Sequence, residues 1–181
     1  MVNIKEYIIN AAILISIIYL FGFIHKQFLM DTSRKIKEFI VIFLSIFAGW
    51  SSMMFGVHLD HDVIFDLRFV PIIIGTIFLR KPLHILIIGG GIGLSRLAFG
   101  LSEAAIVGFV NMGLLSLAAV VLIWISKHWS TTKRMVSAVL VLNVLNTLII
   151  AFLGVIPTKE FMAMIVPAAL PMNMIFSCLL V

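Results

Sequence analysis

Residues 63–79 read VIFDLRFVPIIIGTIFL and residues 82–100 read PLHILIIGGGIGLSRLAFG, with only Arg80 and Lys81 between them. Each run is near the length at which a helix crosses the hydrocarbon core of a bilayer. A connection this short makes the two runs antiparallel neighbours. The pattern extends in both directions. Residues 7–24, 38–55, 104–126, 136–153 and 161–181 form further apolar runs of spanning length, and 63–79 is the shortest and the most polar at its start. The sequence therefore predicts an all-α fold, a polytopic transmembrane helical bundle of six or seven helices, occupying 1–181 as a single domain.

Composition agrees. Apolar residues make up 62% of the chain and charged residues only 12%, where soluble domains carry about 25% charged residues. No soluble core of this size needs so much apolar surface. The formal charge of +5 does not point to nucleic acid, because the basic residues sit in short loops between apolar runs. Cys178 is the single cysteine; it cannot form an intrachain disulfide and reads as small apolar filler in the last run. The first run passes into Gly22-Phe-Ile-His25-Lys26-Gln without a small-residue cleavage site, so it reads as a retained helix rather than a signal peptide.

The loops predict an orientation. Loop 25–37 carries Lys26, Arg34, Lys35 and Lys37; loop 80–82 carries Arg80 and Lys81; loop 126–135 carries Lys127, Lys133 and Arg134. These alternate with loops 56–62, 100–103 and 154–160, which hold Asp60, Asp62, Glu103 and Glu160 but only Lys159 as a cation. Nine of the thirteen Lys and Arg thus fall on one side, the cytoplasmic side by the positive-inside rule. The N-terminus is then outside and the C-terminus inside, in a multi-pass protein of the plasma (inner) membrane whose surroundings are the lipid bilayer. Trp50, Trp124 and Trp129 fit interfacial anchors.

Three charges lie at membrane depth. Asp66 and Arg68 fall just inside the outer end of the third run, and Arg96 about one turn from the outer end of the fourth. Charged groups there are costly and face a bundle interior, a partner or a watery cavity. Two guanidiniums against one carboxylate leave an excess positive charge, which Glu103 at the outer mouth, or an anion from outside, would balance. One expectation is an outward pocket in which Arg68 and Arg96 clamp a small anionic ligand. The other is a structural network in which Asp66 pairs one Arg and caps the third helix. Pro71 lacks an N–H, so in a helix that starts early enough it frees the carbonyl of Leu67 beside this site.

Other polar and small residues fill in the bundle. Gly89 and Gly93, at i and i+4, make a small face for close helix packing beneath Arg96; the Gly89–Gly93 run has no strand–turn–helix setting and is not a dinucleotide loop. Asn111, Asn143, Asn146 and Asn173 read as interhelical hydrogen-bonding groups or, for Asn111 and Asn173, as pocket lining. Pro167 and Pro171 are expected to bend or break the last helix. His58, Asp60, His61 and Asp62 lack the spacing of a metal site, so no metal and no cofactor are expected. No nucleophile–base or paired-carboxylate set shares a depth, so the residues present read as non-enzymatic.

The motif Asp66-Leu-Arg68-Phe-Val-Pro71, followed by the glycine-rich run that ends Arg96-Leu-Ala-Phe-Gly100, resembles the five-transmembrane receptor domain of LytS and YhcK type. That family carries an Asp-x-Arg near the outer start of one helix, and a glycine-rich next helix that ends in Arg and then Gly. The resemblance covers nearly the whole chain, with the first helix upstream of the five-helix core. It implies a bacterial sensor domain for signal transduction, feeding a C-terminal cytoplasmic output domain. That output would be a GGDEF diguanylate cyclase, making cyclic di-GMP, or a histidine kinase, and it would dimerise the receptor. A GG[DE]EF motif and a phosphoacceptor-His context are absent from residues 1–181, and the run at Cys178-Leu-Leu-Val181 stops inside an apolar helix, so the output is expected after 181. A different expectation from the same buried polar groups is a small-molecule transporter or substrate-binding membrane subunit resembling a vitamin-uptake S component.

Overall fold

The computed structural model describes residues 4–28, 32–58, 64–79 and 81–180. Helices dominate it: α1 (Ile4–Phe28), α2 (Arg34–Met54), α3 (Val70–Phe78), α4 (Pro82–Leu97), α5 (Glu103–Ile125) and α6 (Thr131–Leu153), with a 3₁₀ turn at Ser126–His128 between the last two. The chain closes with α7 (Thr158–Glu160), a π-helical turn (Phe161–Ile165) and α8 (Val166–Leu180), which run on without a gap. Two-residue strands β1 (Val57–His58) and β2 (Ile64–Phe65) pair antiparallel, with Val57 opposite Phe65. Among the described residues four helical stretches are long and apolar enough to cross a membrane: Lys5–Ile24, Arg34–Met54, Glu103–His128 and Thr131–Leu153. Pro82–Leu97 and Ala169–Leu180 are apolar but shorter.

Besides its apolar core, the bundle exposes many large apolar side chains and buries polar ones. Phe39, Trp124 and Phe152 are 69%, 70% and 76% exposed, whereas Asn143 and Ser177 are fully buried. An outer surface of large apolar side chains around polar interior contacts suits a lipid solvent, in which interhelical hydrogen bonds are retained inside the bundle. Cys178, read as small apolar filler, is exposed on α8 and lies on the outer surface of the bundle.

The third apolar run departs from the expected helix. It is expected to span as 63–79, but the described part of it forms β2, a turn, and a helix of only nine residues, which rises about 14 Å against a hydrocarbon thickness of about 30 Å. Pro71 explains where the helix begins. Its fixed φ and missing N–H suit the first turn, and it sits there. The carbonyl of Leu67 is consequently not freed: it accepts from Val70 N–H at 3.0 Å. The chain thus enters the bundle as a re-entrant hairpin and leaves it as a half-helix. Non-helical backbone at such depth is tolerated only when protein covers it, and Phe65 through Val70 are all buried. The Leu67 N–H is satisfied by Ser52 Oγ at 3.0 Å and by Asn10 Oδ1 at 3.2 Å. α3 packs against α2, α4, α5, α6 and α8 and forms the centre of the core.

Glycine and asparagine divide the remaining work of joining helices. A Cβ on Gly89 would stand 2.5 Å from Ser116 Cβ, and one on Gly93 2.9 Å from Phe109, so the small face of α4 lets α5 approach to backbone contact. On the opposite side Gly91 receives Ile46 of α2. Elsewhere amide side chains bridge: Asn111 Nδ2 donates to Asn146 Oδ1 (2.8 Å) between α5 and α6, and Asn143 Nδ2 donates to Ser177 Oγ (3.1 Å) between α6 and α8. The Tyr7 hydroxyl donates to Asn173 Oδ1 between α1 and α8, and Ser52 Oγ donates to Asn10 Oδ1 (2.9 Å) between α1 and α2.

The last helix is continuous, not broken. Pro167 removes the N–H that the α-helical ladder needs, and the chain accommodates this in the π turn just before it. Pro171 lies inside α8.

Candidate functional site

Six parts of the chain meet at one end of the bundle around a cavity with an empty volume of about 740 Å³, its open mouth included. This is the end that holds the β1–β2 hairpin, the C-termini of α4 and α6 and the N-terminus of α5. The opposite end carries the basic loops. There Glu38 of α2 binds Lys81 and, at 3.0 Å, Arg34, which places the start of α2 beside the start of α4.

The charged wall comes from the re-entrant turn and from α4. Asp66 Oδ1 accepts two hydrogen bonds from Arg68, one from its backbone N–H and one from Nε, both at 2.8 Å. Arg68 Nη2 donates to the Ile64 carbonyl at 3.0 Å and lies 2.7 Å from Asp66 Oδ2, an ion-pair contact without hydrogen-bond alignment. Asp66 and Arg68 therefore lock the turn and fix the guanidinium in one pose. Arg68 Nη1 is buried and has no hydrogen-bond acceptor. Arg96, 3% exposed, joins the wall from the last turn of α4. That helix ends in a turn closed by Gly100, whose φ of +129° is open to glycine and strained for other residues.

The facing wall is α5. Gly108 makes room for both arginine side chains: a Cβ there would stand 3.4 Å from Arg68 Nη1 and 3.3 Å from Arg96 Cγ. One turn further along, Asn111 spends its amide N–H on Asn146 and keeps a buried Oδ1 without a donor. Asn146 and Asn173 also line the cavity, with Phe65, Phe69, Val107, Met112, Ile150 and Ile156 as apolar surface. The arrangement sets one fixed N–H donor group and one acceptor in a cavity whose lining mixes charged, amide and apolar side chains.

Five of the six ligand-binding residues expected from sequence thus meet here: Asp66, Arg68, Arg96, Asn111 and Asn173. Glu103 does not join them. It is exposed in the first turn of α5, and its neighbour Ala104 lines the cavity instead. Gly89 and Gly93 pack on α5 along the stripe that leads to Arg96, as expected. Asp60, His61, Asp62 and Arg80 lie outside the described residues; among those described, no group of three or more His, Cys, Asp or Glu could hold a metal ion. Sequence reading missed Gly108, Tyr7, Asn10 and Ser52. Asn10 was detectable as an amide inside an apolar run, but nothing local marks Gly108.

Comparison with family models, curated proteins and solved structures finds no match for this chain.

Proposed function

We propose that this chain is a membrane sensory input domain that binds a small anion through Arg68 in the cavity at the hairpin end. The observation that carries this reading is the state of Arg68. Its pose is fixed by Asp66 and Ile64, while Nη1 faces the cavity wall with no acceptor. A buried donor left unmade costs about 1–3 kcal/mol, which a bound carboxylate recovers. Arg96 lines the same cavity and adds a second guanidinium to the wall. Asn111 Oδ1 adds a demand for a hydrogen-bond donor on the same ligand.

The distribution of basic loops supports placing the hairpin end outside and the C-terminus in the cytoplasm of a bacterial plasma membrane. The Asp66-x-Arg68 and Arg96–Gly100 motifs support the LytS/YhcK-type receptor reading, in which α8 passes the signal to a dimeric cytoplasmic diguanylate cyclase or histidine kinase. Asn173 supports that route, since it lines the cavity on α8 and holds Tyr7 of α1. A ligand drives such a change only if it binds one arrangement of the helices better than the other. In the full-length protein, Arg68→Gln would then abolish the response of the output activity to the ligand. An unaltered response to ligand would contradict the reading.

One observation favours a transporter subunit as a second reading. A half-helix preceded by extended backbone at membrane depth is the kind of interrupted element that lines transporter sites. Ligand uptake into proteoliposomes holding this chain alone would support that reading over the sensor.

A further inference from the structure

A second cavity lies between α1 and α2, on the other side of the start of α3 from the Arg68 site. It has an empty volume of about 520 Å³, its open mouth included. Ile17 and Phe21 of α1 form one bank, Val41 and Leu44 of α2 the other, and Val70, Pro71 and Ile74 of α3 the floor. Ser45 is the one polar lining residue. An unfilled crevice would forfeit dispersion contacts along its whole length. A further helix, about 10 Å across, cannot enter between α1 and α2, which pack as neighbours. A flexible hydrocarbon chain can.

The basic end of the bundle sets which lipid. On α2 the lining positions Val41, Leu44, Ser45 and Ala48 form one helical stripe. Arg34 and Lys37 stand seven and four residues before Val41, so they continue that stripe to the basic end. The Arg34 side chain is 82% exposed, and Lys26 and Lys35 are exposed as well. In sequence, Lys26, Arg34, Lys35, Lys37 and Lys81 at this end outnumber the carboxylates of Asp31 and Glu38. Clusters of cations at the membrane surface attract anionic headgroups.

We propose that this crevice holds one acyl chain of an anionic phospholipid whose headgroup rests against Arg34 and Lys37. The site is separate from the Arg68 cavity and does not depend on its ligand.

The full chain, purified in detergent, is titrated with dioleoyl phosphatidylglycerol and with dioleoyl phosphatidylcholine, and bound lipid is counted by native mass spectrometry. One phosphatidylglycerol per chain is expected, held at least tenfold more tightly than phosphatidylcholine. The double variant Arg34→Gln/Lys37→Gln is expected to remove that preference. Ser45→Leu, which fills the crevice without touching the charges, is expected to weaken both lipids. Equal binding of the two lipids by the unaltered chain overturns the proposal. So does a phosphatidylglycerol affinity that Ser45→Leu leaves unchanged, because binding would then reflect surface attraction alone. Melting curves of the variants that match the unaltered chain ensure that any loss is one of binding.

Discussion

Asp66 Oδ1 accepts both the backbone N–H and the Nε–H of Arg68, each at 2.8 Å. Two residues apart in sequence, they close a turn and pin a guanidinium deep in an apolar bundle. The pair is buried, so neither charge can return to water when the other is lost. Asp66→Asn is therefore expected to destabilise the protein by about 3–5 kcal/mol, the usual result of breaking a buried pair from one side. Replacing both, as in Asp66→Asn/Arg68→Gln, should cost less than Asp66→Asn alone. Thermal unfolding in detergent measures both. A double variant less stable than the single one would show that the pair is not the unit described here.

Gly108 separates the stability of α5 from the room in the cavity. Gly108→Ala removes a helix-interior glycine, a gain of up to about 1 kcal/mol. It also places a methyl 3.3–3.4 Å from Arg96 Cγ and Arg68 Nη1. The expected outcome is an unchanged or raised melting temperature together with anion affinity lowered at least ~10-fold, about 1.4 kcal/mol. Equilibrium binding beside a melting curve gives the two numbers.

Two adjacent glycines of α4 should respond in opposite directions. Gly89→Ala puts its methyl 2.5 Å from Ser116 Cβ and 3.1 Å from the Met112 carbonyl, so α4 and α5 must part. Gly90 has nothing within 4 Å of that position, and Gly90→Ala should be neutral or stabilising. Melting temperatures of the two variants test the packing directly.

The re-entrant turn rests on the Leu67 N–H, which has two side-chain acceptors. Asn10→Ala leaves Ser52 Oγ in place and should cost little through this bond. Asn10→Ala/Ser52→Ala leaves a buried N–H unmade, for about 1–3 kcal/mol more. A strictly additive double variant, read from unfolding curves, would show that the two acceptors do not substitute for each other.

Orientation has its own test. In a Cys178→Ser background, Glu103→Cys at the hairpin end is expected to react with a membrane-impermeant maleimide in intact cells. Lys133→Cys at the basic end is expected to react only after the cells are opened. The reverse pattern would invert the topology.

Much of this architecture was legible in the apolar runs, because length and hydropathy are local properties. Six of seven runs became helices close to their expected bounds, and the charges at Asp66, Arg68 and Arg96 marked the cavity because charge at membrane depth needs a reason. The third run misled, since an apolar stretch reads alike as helix or as buried extended chain. Pro71 held the correction: proline suits a first turn better than a helix interior. Tyr7, Ser52 and Gly108 were not legible. Tyr7 meets Asn173 across 166 residues of sequence, and Gly108 matters for a space between side chains from two other parts of the chain. Such relationships are properties of the packed bundle and leave no local pattern.

The central claim is that Arg68 presents a fixed donor to a small anion. Its most direct test is thermal unfolding of the chain in detergent against a panel of small monocarboxylates, repeated for Arg68→Gln and Gly108→Ala. A ligand that binds only the folded state at a hundred times its Kd stabilises by about 2.7 kcal/mol. At least one monocarboxylate, best among those that also carry a hydrogen-bond donor for Asn111, should raise the melting temperature of the unaltered chain, raise that of Gly108→Ala less, and leave that of Arg68→Gln unchanged. A panel that stabilises nothing, or that stabilises Arg68→Gln equally well, would contradict the account.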